Sequence, residues 1–401
     1  MNPVHLVTLL GLAVGLSTLW APAVAPAATH IVNPGESIQA AVNAASAGDT
    51  VKVMPGDYTE TGPGTAAVLI NKPLKLLAKS KLKDNIRVRI LPGPGKTDGI
   101  VVKSLNPPAD IVGVQIKGFT VEGFSNNGIW LENVEKFTIQ GNESINNLEN
   151  GIWPTLSANG SVKKNVAYGS LDSALWVEAS ENVRVMQNEF YGSPTGLEIT
   201  VSKGVKATKN YIHDNTVGVG LYHPNGASLP PLGGDGDWVI KGNRIVNNNM
   251  LNNGPPGSMP AALPSGIGVL VLGVDRVTVE KNEITGNDFV GVGVIDWCLG
   301  VDGSAFDCDT NPPIVQSAPD NALVKGNSLG GNGNNPPAGL FGDLFAGDLA
   351  FYSPKDQEIY FPPPPPPGYA PNGGTACFVD NVPVPPQVDL VNTFLSLNFC
   401  F

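Results

Sequence analysis

Apolar and polar residues alternate along much of this chain in short stretches that recur at a nearly constant spacing. The segments GIWLE, GIWPT, ALWVE, GLEIT and GVGLY begin at residues 128, 151, 174, 196 and 218. Apolar residues hold the first and third positions after the initial Gly or Ala, which is the period-two pattern of a half-buried β-strand. The pattern therefore predicts that these positions face inward and that the second and fourth positions face outward.

Asparagines recur beside these strands with the same spacing. They are Asn142, Asn165, Asn188, Asn210, Asn243, Asn282 and Asn327, and the first four are 23, 23 and 22 residues apart. Self-similarity at such a period predicts an all-β parallel solenoid of about nine or ten coils, in which each coil buries its apolar face against its neighbours. We expect each Asn to be buried at the same turn of its coil and to hydrogen-bond turn groups of adjacent coils.

The two ends of the chain depart from the repeat, and they predict three segments. Residues 1–28 contain a short apolar run followed by APAVAPAA, which is typical of a secretory signal peptide, with an uncleaved anchor as the alternative. Residues 29–335 form the predicted solenoid. It begins with a helix over 37–45 that caps the open end of the core. Residues 336–401 are rich in proline and aromatic residues and predict an irregular C-terminal cap that packs back on the solenoid.

Three insertions interrupt the period, at residues 224–236, 250–264 and 297–320. The first and third leave directly after a Gly-led strand, and the second arrives directly before one. All three therefore flank the same face of the predicted solenoid. Loops that gather on one face of a repeat protein usually form a binding site.

Composition and charge narrow the classes of partner. The chain has a net charge of −11, and no short segment concentrates Lys or Arg, so we expect no nucleic-acid partner. A polyanionic polysaccharide would be repelled unless a cation bridged it. Nothing beyond the first segment predicts a membrane partner, and we expect a monomer.

All four cysteines lie late in the chain, and they are Cys298, Cys308, Cys377 and Cys400. An even number in an exported chain predicts two disulfides. Three connectivities are possible. Proximity in sequence favours a bond between Cys298 and Cys308 and another between Cys377 and Cys400. Metal ligation by four cysteines is the alternative, although no CxxC pair is present.

Four segments carry a resemblance to a known class. They are PGESIQAAVNAASAGDTVKVMPGDYTE at 34–60, IKGFTVEGF at 116–124, NGIWL at 127–131 and GIGVLVLGVDRVTVEKNEITGN at 266–287. In these segments the chain resembles secreted bacterial parallel β-helix repeat proteins of the pectate-lyase-like class. The resemblance covers roughly residues 30–335. It implies a right-handed, single-stranded parallel β-helix solenoid and an extracellular or periplasmic location, but no assigned activity.

Enzymes that resemble this class have motifs that the chain lacks. Residues 56–60 match the GxYxE element of pectin methylesterases, but the later catalytic motifs of those enzymes are absent. The Asp pairs of polygalacturonases are absent, and residues 212–215 only superficially resemble the Asp-Pro-His-Asp element of alginate epimerases. With His30, His213 and His223 as the only histidines after the predicted signal, a copper role lacks ligands.

The outward positions of the Gly-led strands are the best candidates for a binding surface. Stacked at the coil spacing, they form a strip in which aromatic rings precede carboxylates, a combination that suits a neutral or weakly polar polysaccharide. The candidate substrate-binding residues are Trp130, Trp153, Trp176, Glu132, Asp296 and Trp297. The alternative is a structural ladder of Trp residues that the C-terminal segment covers.

Catalysis on this strip needs two carboxyl groups on one face, one of them with a raised pKa. Glu178 and Glu198 occupy neighbouring outward positions, and Tyr222 with His223 follows, so we take these four as candidate catalytic residues for a hydrolase or a lyase. A lyase also needs a cation near the substrate carboxylate, and Arg184 falls near a different strand. Solvated surface glutamates are the alternative interpretation.

The third insertion holds several acidic residues in a short loop. Asp302, Asp307 and Asp309 supply enough oxygen ligands for calcium, although their spacing matches no EF-hand or nonapeptide repeat. Ordinary polar turns are the alternative. The sequence thus leaves two functions open: a secreted polysaccharide-binding or polysaccharide-cleaving protein, and a non-catalytic structural or cell-surface interaction protein.

Overall fold

The structure is a computed structural model of the full chain. It describes residues 26–80, 85–104, 111–222, 236–298, 319–338, 345–352 and 376–382. Most of the predicted signal peptide and the candidates His223, Asp302, Asp307, Asp309, Cys308 and Cys400 lie outside these residues. No helix in the described ranges is long and apolar enough to cross a membrane.

Nearly all of the described chain folds into parallel strands that are stacked coil upon coil in three long sheets. Sheet A has twelve strands, which are Thr29–Val32, Thr50–Val53, Lys75–Ala78, Gln115–Lys117, Thr138–Gln140, Ser161–Lys163, Arg184–Met186, Lys206–Thr208, Trp238–Lys241, Val277–Glu280, Ala322–Lys325 and Ala376–Val379. Sheet B has ten strands, which are Gly56–Thr59, Val88–Leu91, Phe119–Glu122, Glu143–Ile145, Val166–Tyr168, Glu189–Tyr191, Tyr211–His213, Arg244–Val246, Glu283–Thr285 and Ser328–Gly330.

Sheet C contains the Gly-led strands. Its ten strands are Ala66–Ile70, Asp98–Lys103, Ile129–Glu132, Ile152–Thr155, Ser173–Glu178, Thr195–Thr200, Val217–Tyr222, Ile267–Leu272, Val290–Ile295 and Gly347–Tyr352. A short fourth sheet pairs Ile111–Val112 with Val134–Glu135. The predicted all-β parallel solenoid is confirmed.

The interior is filled by the residues that the alternating pattern assigned to it. Ile129 and Leu131 are fully buried, and the same positions of later coils, such as Leu175 and Val177, are equally buried. A side chain on Gly128 would overlap the Ser144 hydroxyl, so the coil closes at that point only with a residue that lacks a Cβ atom. Each coil thus buries its apolar groups against the coils above and below it, which is the main source of stability in a solenoid.

The predicted asparagine ladder is present. Both the backbone amide and the side-chain amide of Asn142 donate to Asn165 Oδ1, at 2.9 and 3.1 Å, and the side-chain amide also donates to the carbonyl of Ile116 at 3.1 Å. The pattern repeats coil by coil to Asn327, which donates in the same way to Asn381. These bonds satisfy turn groups that no strand reaches.

Two further ladders escaped the sequence analysis. A second set of buried asparagines repeats the same bonds at another turn, and its later members are Asn215, Asn248, Asn287 and Asn332. A third turn uses serine, where the hydroxyl oxygens of Ser157, Ser180 and Ser202 each accept from the backbone amide of the preceding coil.

The N-terminal helix spans Ile38–Ala44, close to its predicted bounds, and buries Ile38 and Val42 against the first coils. The Ser37 hydroxyl caps it by accepting from the Ala40 amide at 3.0 Å. Glu60 accepts from the Ser37 hydroxyl and from the Ile38 amide, both at 2.6 Å. A carboxylate at a helix N-terminus is favourable, and it ties the cap to the second coil.

The C-terminal segment contributes further strands, which the sequence did not indicate. Gly347–Tyr352 pairs with Val290–Ile295 in sheet C, and Ala376–Val379 pairs with Ala322–Lys325 in sheet A. The solenoid therefore continues beyond residue 335, where the sequence analysis placed its end. A short 3-10 helix, Pro260–Ala262, lies within the second insertion.

Candidate functional site on sheet C

The predicted row of tryptophans lies on the outer face of sheet C. Trp130, Trp153 and Trp176 are strand neighbours, and their ring centroids are 5.2 and 5.3 Å apart with the planes inclined by 13° and 7°. All three are partly exposed. Because each ring covers the face of the next, the row presents ring edges to solvent. The indole faces that a sugar would stack on are occupied by neighbouring indoles, apart from the two ends of the row.

The first end of the row meets a cation, since the Lys103 ammonium lies 4.6 Å from the Trp130 ring centroid. Two of the three ring nitrogens donate to polar residues on the next coil. Trp153 Nε1 donates to Glu178 Oε2 at 3.2 Å, and Trp176 Nε1 donates to Thr200 Oγ1 at 2.8 Å. Trp130 Nε1 is buried and has no partner within the described part of the chain.

At the next coil the row changes from indole to carboxyl, because Glu198 is the strand neighbour of Trp176. Only 5% of Glu198 is exposed, and the Ser173 hydroxyl donates to its Oε2 at 2.5 Å. Burial, followed by the negative charge of Asp172, raises the pKa of Glu198 well above its usual range. Glu178 on the preceding coil adds to this effect. The environment of Glu198 therefore favours its protonated form.

Asp172 belongs to the same cluster, and the sequence analysis missed it. It directly precedes the strand Ser173–Glu178, whose first residue bonds Glu198. Burial, then the charges of Glu149 and Glu178, raises the pKa of Asp172 to about 6. Asp172 Oδ1 is buried without a hydrogen-bond partner among the described residues. The signal in the sequence was an acidic residue directly before the strand that contains the Ala-led segment.

Glu178 lies on the Trp side of the cluster. Its Oε2 accepts from the Thr155 hydroxyl at 2.9 Å as well as from Trp153. Burial raises its pKa, while these two hydrogen bonds favour the charged form and limit the shift. Glu178 thus joins the tryptophan row to the carboxyl cluster.

Tyr222 closes the other side. It is the strand neighbour of Thr200, is fully buried, and lays its ring across Gly220, the strand neighbour of Glu198. Burial, followed by the charge of Glu198, raises the pKa of Tyr222 well above its usual range. The Tyr222 hydroxyl faces Thr195 Oγ1 on the adjacent strand, and this contact partly offsets the rise of the pKa.

The other predicted site residues are placed less centrally. Glu132 pairs with Thr155, which pairs with Glu178, so Glu132 lies two coils before Glu178 on the same outer face. Asp296 and Trp297 follow the strand Val290–Ile295; Asp296 is fully buried, and its Oδ1 accepts from the Cys298 amide at 2.9 Å. Trp297 is 3% exposed and packs in an apolar cluster with Tyr222, which leaves little indole surface for a ligand.

Beyond Tyr222 the outer face of sheet C becomes apolar. Leu270, Leu272 and Ile295 continue the outward positions and line a groove together with Phe289 and Phe345. The strip that the sequence predicted as one surface is therefore divided into three parts. These are a row of indoles, a central carboxyl cluster and an apolar end.

Metal and disulfide predictions stay open. Within the described ranges, no group of three His, Cys, Asp or Glu side chains is placed to hold a metal ion. The proposed calcium ligands lie outside those ranges, so calcium remains a prediction. Cys298 and Cys377 are described but Cys308 and Cys400 are not, so the predicted pairing also remains untested.

Comparison with known proteins supports the same β-helix fold. Residues 99–230 match the family model described as "Right handed beta helix region". The fold is a right-handed parallel β-helix. No curated protein sequence matches the chain.

Several solved structures share this fold at low sequence identity. The A-module of mannuronan C-5 epimerase AlgE4 from Azotobacter vinelandii superposes with a TM-score of 0.55 and 15% identity, covering 86% of this chain and 90% of that one. DFA-IIIase from Arthrobacter chlorophenolicus A6 gives 0.52 and 14%, covering 82% and 79%. The periplasmic alginate epimerase AlgG gives 0.50 and 14%, covering 88% and 73%. At such identities the likeness establishes the β-helix fold alone.

Proposed function

We propose that the outer face of sheet C binds a polysaccharide and hydrolyses a glycosidic bond at the Asp172–Glu198 cluster. The observation that carries this proposal is the cluster of Asp172, Glu178 and Glu198, whose carboxyl pKa values are all raised by burial, and in which Asp172 Oδ1 is buried without a hydrogen-bond partner in the described part of the chain. Buried polar atoms are normally hydrogen-bonded, and each exception requires an explanation. Asp172 as a residue is only partly buried, so a sugar hydroxyl that donates to its carboxyl group supplies the missing partner.

The two carboxyl groups differ in the way that glycoside hydrolysis requires. Glu198 is buried and its pKa is raised well above its usual range, which favours the protonated form that a general acid needs to donate to the leaving glycosidic oxygen. Asp172, with its pKa raised to about 6, is largely ionised at neutral pH and serves as the base or nucleophile. Ser173 positions Glu198 by its short hydrogen bond.

The tryptophan row supplies neighbouring sugar subsites. Its partly exposed ring edges provide apolar contact, and Glu178 with Thr155 provides hydrogen-bonding groups beside them. Mannuronan and alginate appear in the names of two structures that share the fold, which supports a carbohydrate substrate. The face argues for a neutral sugar, however. Asp172, Glu178 and Glu198 lie close together, and none of the described residues in these outward positions from 130 to 222 is Lys or Arg. A uronate in the cluster would therefore be repelled.

One observation favours the second candidate, a non-catalytic structural or interaction protein. Glu198 and Tyr222 are almost completely buried, and the indole faces cover one another. In that case the strip is a packing surface covered by other parts of the chain, and the carboxyl cluster has no substrate.

Activity measurements separate the two. The purified protein is incubated with neutral polysaccharides, and new reducing ends are quantified. We expect Glu198→Gln to lower the rate roughly 10²–10⁴-fold, the usual range for a general acid. Glu283→Gln, at an exposed position of sheet B away from this face, is the matched control and is expected to keep the rate. Absence of both activity and binding in a folded wild-type protein supports the packing surface instead.

A further inference from the structure

We propose a second polysaccharide site, on a different face from the carboxyl cluster. A groove on the outer face of sheet A, centred on Lys163, Arg184 and Lys206, binds an acidic polysaccharide. The proposal does not depend on the hydrolase assignment, since the two sites lie on different sheets and have opposite charge.

Coil stacking brings together basic residues that are far apart in sequence. Arg184 and Lys206 are direct strand neighbours in sheet A, about 4.8 Å apart along the solenoid axis. Lys163 lies on the preceding coil, two positions further along its strand. Lys164 and Lys209 add exposed ammonium groups at the turns that follow these strands. The linear sequence gave no indication of this cluster because Lys163, Arg184 and Lys206 are 21 and 22 residues apart.

These cations lack the carboxylate partners that other basic residues have. Lys241 pairs with Glu280 at 2.6 Å, and Arg276 pairs with Asp237 at 3.0 Å. Lys163, Arg184 and Lys206 have no ion pair within the described ranges. Like charges on directly neighbouring strands destabilise a sheet. In a chain with a net charge of −11, this group is a local patch of positive charge. An anionic ligand removes the repulsion.

The groove has the shape and the polar groups for a sugar chain. It measures about 580 Å³, and no Asp or Glu contributes to its lining. Asn159, Asn182 and Ser161 contribute side chains that bond hydroxyls. Its floor includes Phe137, whose ring lies against Gly160 so closely that a Cβ atom there would overlap it. A groove of this kind offers charge for carboxylate or sulfate groups and amides for hydroxyls.

The chemistry favours a polysaccharide over nucleic acid. Single-stranded nucleic acids are held by exposed aromatic rings on which bases stack, together with positive charge. Phe137, the one aromatic residue in the groove lining, is only 2% exposed. A polymer of acidic sugars instead places an anion on successive units, which matches cations repeated from coil to coil.

Binding to matched polymers tests the proposal. Polygalacturonate, dextran sulfate and neutral dextran are titrated against the full chain in low salt, with calorimetric detection. We expect both acidic polymers to bind, more weakly as salt increases, and dextran not to bind in the groove. Arg184→Glu with Lys206→Glu is expected to lower affinity about tenfold or more. The control, Lys75→Glu with Lys79→Glu, makes the same change of net charge on exposed residues of an earlier coil.

The outcomes are distinct. Retained binding in the control and loss in the groove variant, both folded by circular dichroism, support the site. Equal loss in both variants means that net charge alone drives binding and overturns the proposal, as does absence of wild-type binding or tighter binding of single-stranded DNA. Glu198→Gln is expected to keep acidic-polymer binding, so failure of the hydrolase assignment leaves this result unaffected.

Discussion

The ring of Tyr222 lies across the backbone of Gly220, so that its hydroxyl is next to the Gly220 Cα. Gly220 is also the strand neighbour of Glu198. The missing side chain at residue 220 therefore makes room for the phenol beside the buried carboxyl group. In the preceding coils the same outward position holds three tryptophans and then Glu198, so the glycine lies one coil beyond the point at which the row of indoles gives way to the cluster.

We predict that Gly220→Ala disrupts the site while leaving the solenoid folded. The added methyl group overlaps the Tyr222 hydroxyl, so the ring has to move, at a cost of roughly 1–3 kcal/mol in unfolding free energy. Hydrolytic activity is expected to fall with it. The control is Gly293→Ala, at the corresponding position two coils later, where a Cβ atom is 3.4 Å from its nearest neighbour, Leu270. Equal effects of the two substitutions on activity contradict the assigned position of Tyr222.

The fold was predictable because every coil of a solenoid repeats the same pattern of buried and exposed positions. Each coil repeats a buried Asn, as at Asn142 and Asn165, and an alternating apolar strand, as around Ile129. An error in the interpretation of one coil therefore does not change the predicted fold. The end of the repeat was less predictable. The strand Gly347–Tyr352 has no Asn beside it at the usual interval. The third insertion also separates it in sequence from its partner strand, Val290–Ile295.

The candidate site was only partly predictable, since its chemistry depends on distances between coils. Alternation correctly placed Glu178, Glu198 and Tyr222 on one face. Asp172 was missed because it lies just outside the alternating segment, and its raised pKa comes from residues on other coils. The sequence also left open whether the tryptophans bind sugar or form a structural ladder, and in the structure neighbouring indoles stack on one another. Successive coils are separated by about the thickness of stacked rings, so no sugar fits between the indoles.

We predict that Asp172 makes stability depend on pH. Its pKa is raised from 3.8 in the unfolded chain to about 6, so between these values the folded protein binds more protons. The contribution is fully present below pH 3.8 and is lost as pH rises through about 6, so unfolding free energy falls over this range. At roughly 1.4 kcal/mol per pKa unit, a loss of up to about 3 kcal/mol is expected.

Urea unfolding at pH 5 and at pH 8 measures this effect, with Asp172→Asn as the comparison. The variant lacks the titrating group, so its difference between the two pH values is expected to be smaller than that of the wild type. A variant with the wild-type difference excludes Asp172 as the source and assigns the pH dependence to other carboxyl groups such as Asp320, whose pKa is also raised to about 6.

We predict that the central tryptophan of the row supports both packing and sugar binding. Trp153→Ala removes two stacking contacts and the hydrogen bond to Glu178, at a cost of roughly 1–3 kcal/mol for a partly exposed ring. Trp153→Phe keeps an aromatic ring and loses the N–H donor. We expect Phe to restore most of the stability but not the polysaccharide affinity, measured by thermal unfolding and by fluorescence titration. If Trp153→Phe binds the polysaccharide as tightly as the wild type, the Nε1–H group of Trp153 has no part in binding.

We predict that substitution of a single Asn of the buried ladder lowers the unfolding free energy by a large amount. Asn188 Oδ1 accepts from the backbone amide and the side-chain amide of Asn165, and its own amide donates to the Val162 carbonyl at 3.0 Å and to Asn210. Asn188→Ala leaves these buried groups unpaired, at about 1–3 kcal/mol each, so we expect unfolding free energy to fall by about 3–5 kcal/mol. Asn43→Ala, at an exposed site of the N-terminal helix, is the control and is expected to be neutral or slightly stabilising. Denaturant unfolding of both variants decides the matter: a loss of under about 1 kcal/mol at residue 188 means that water enters the turn and replaces the ladder bonds.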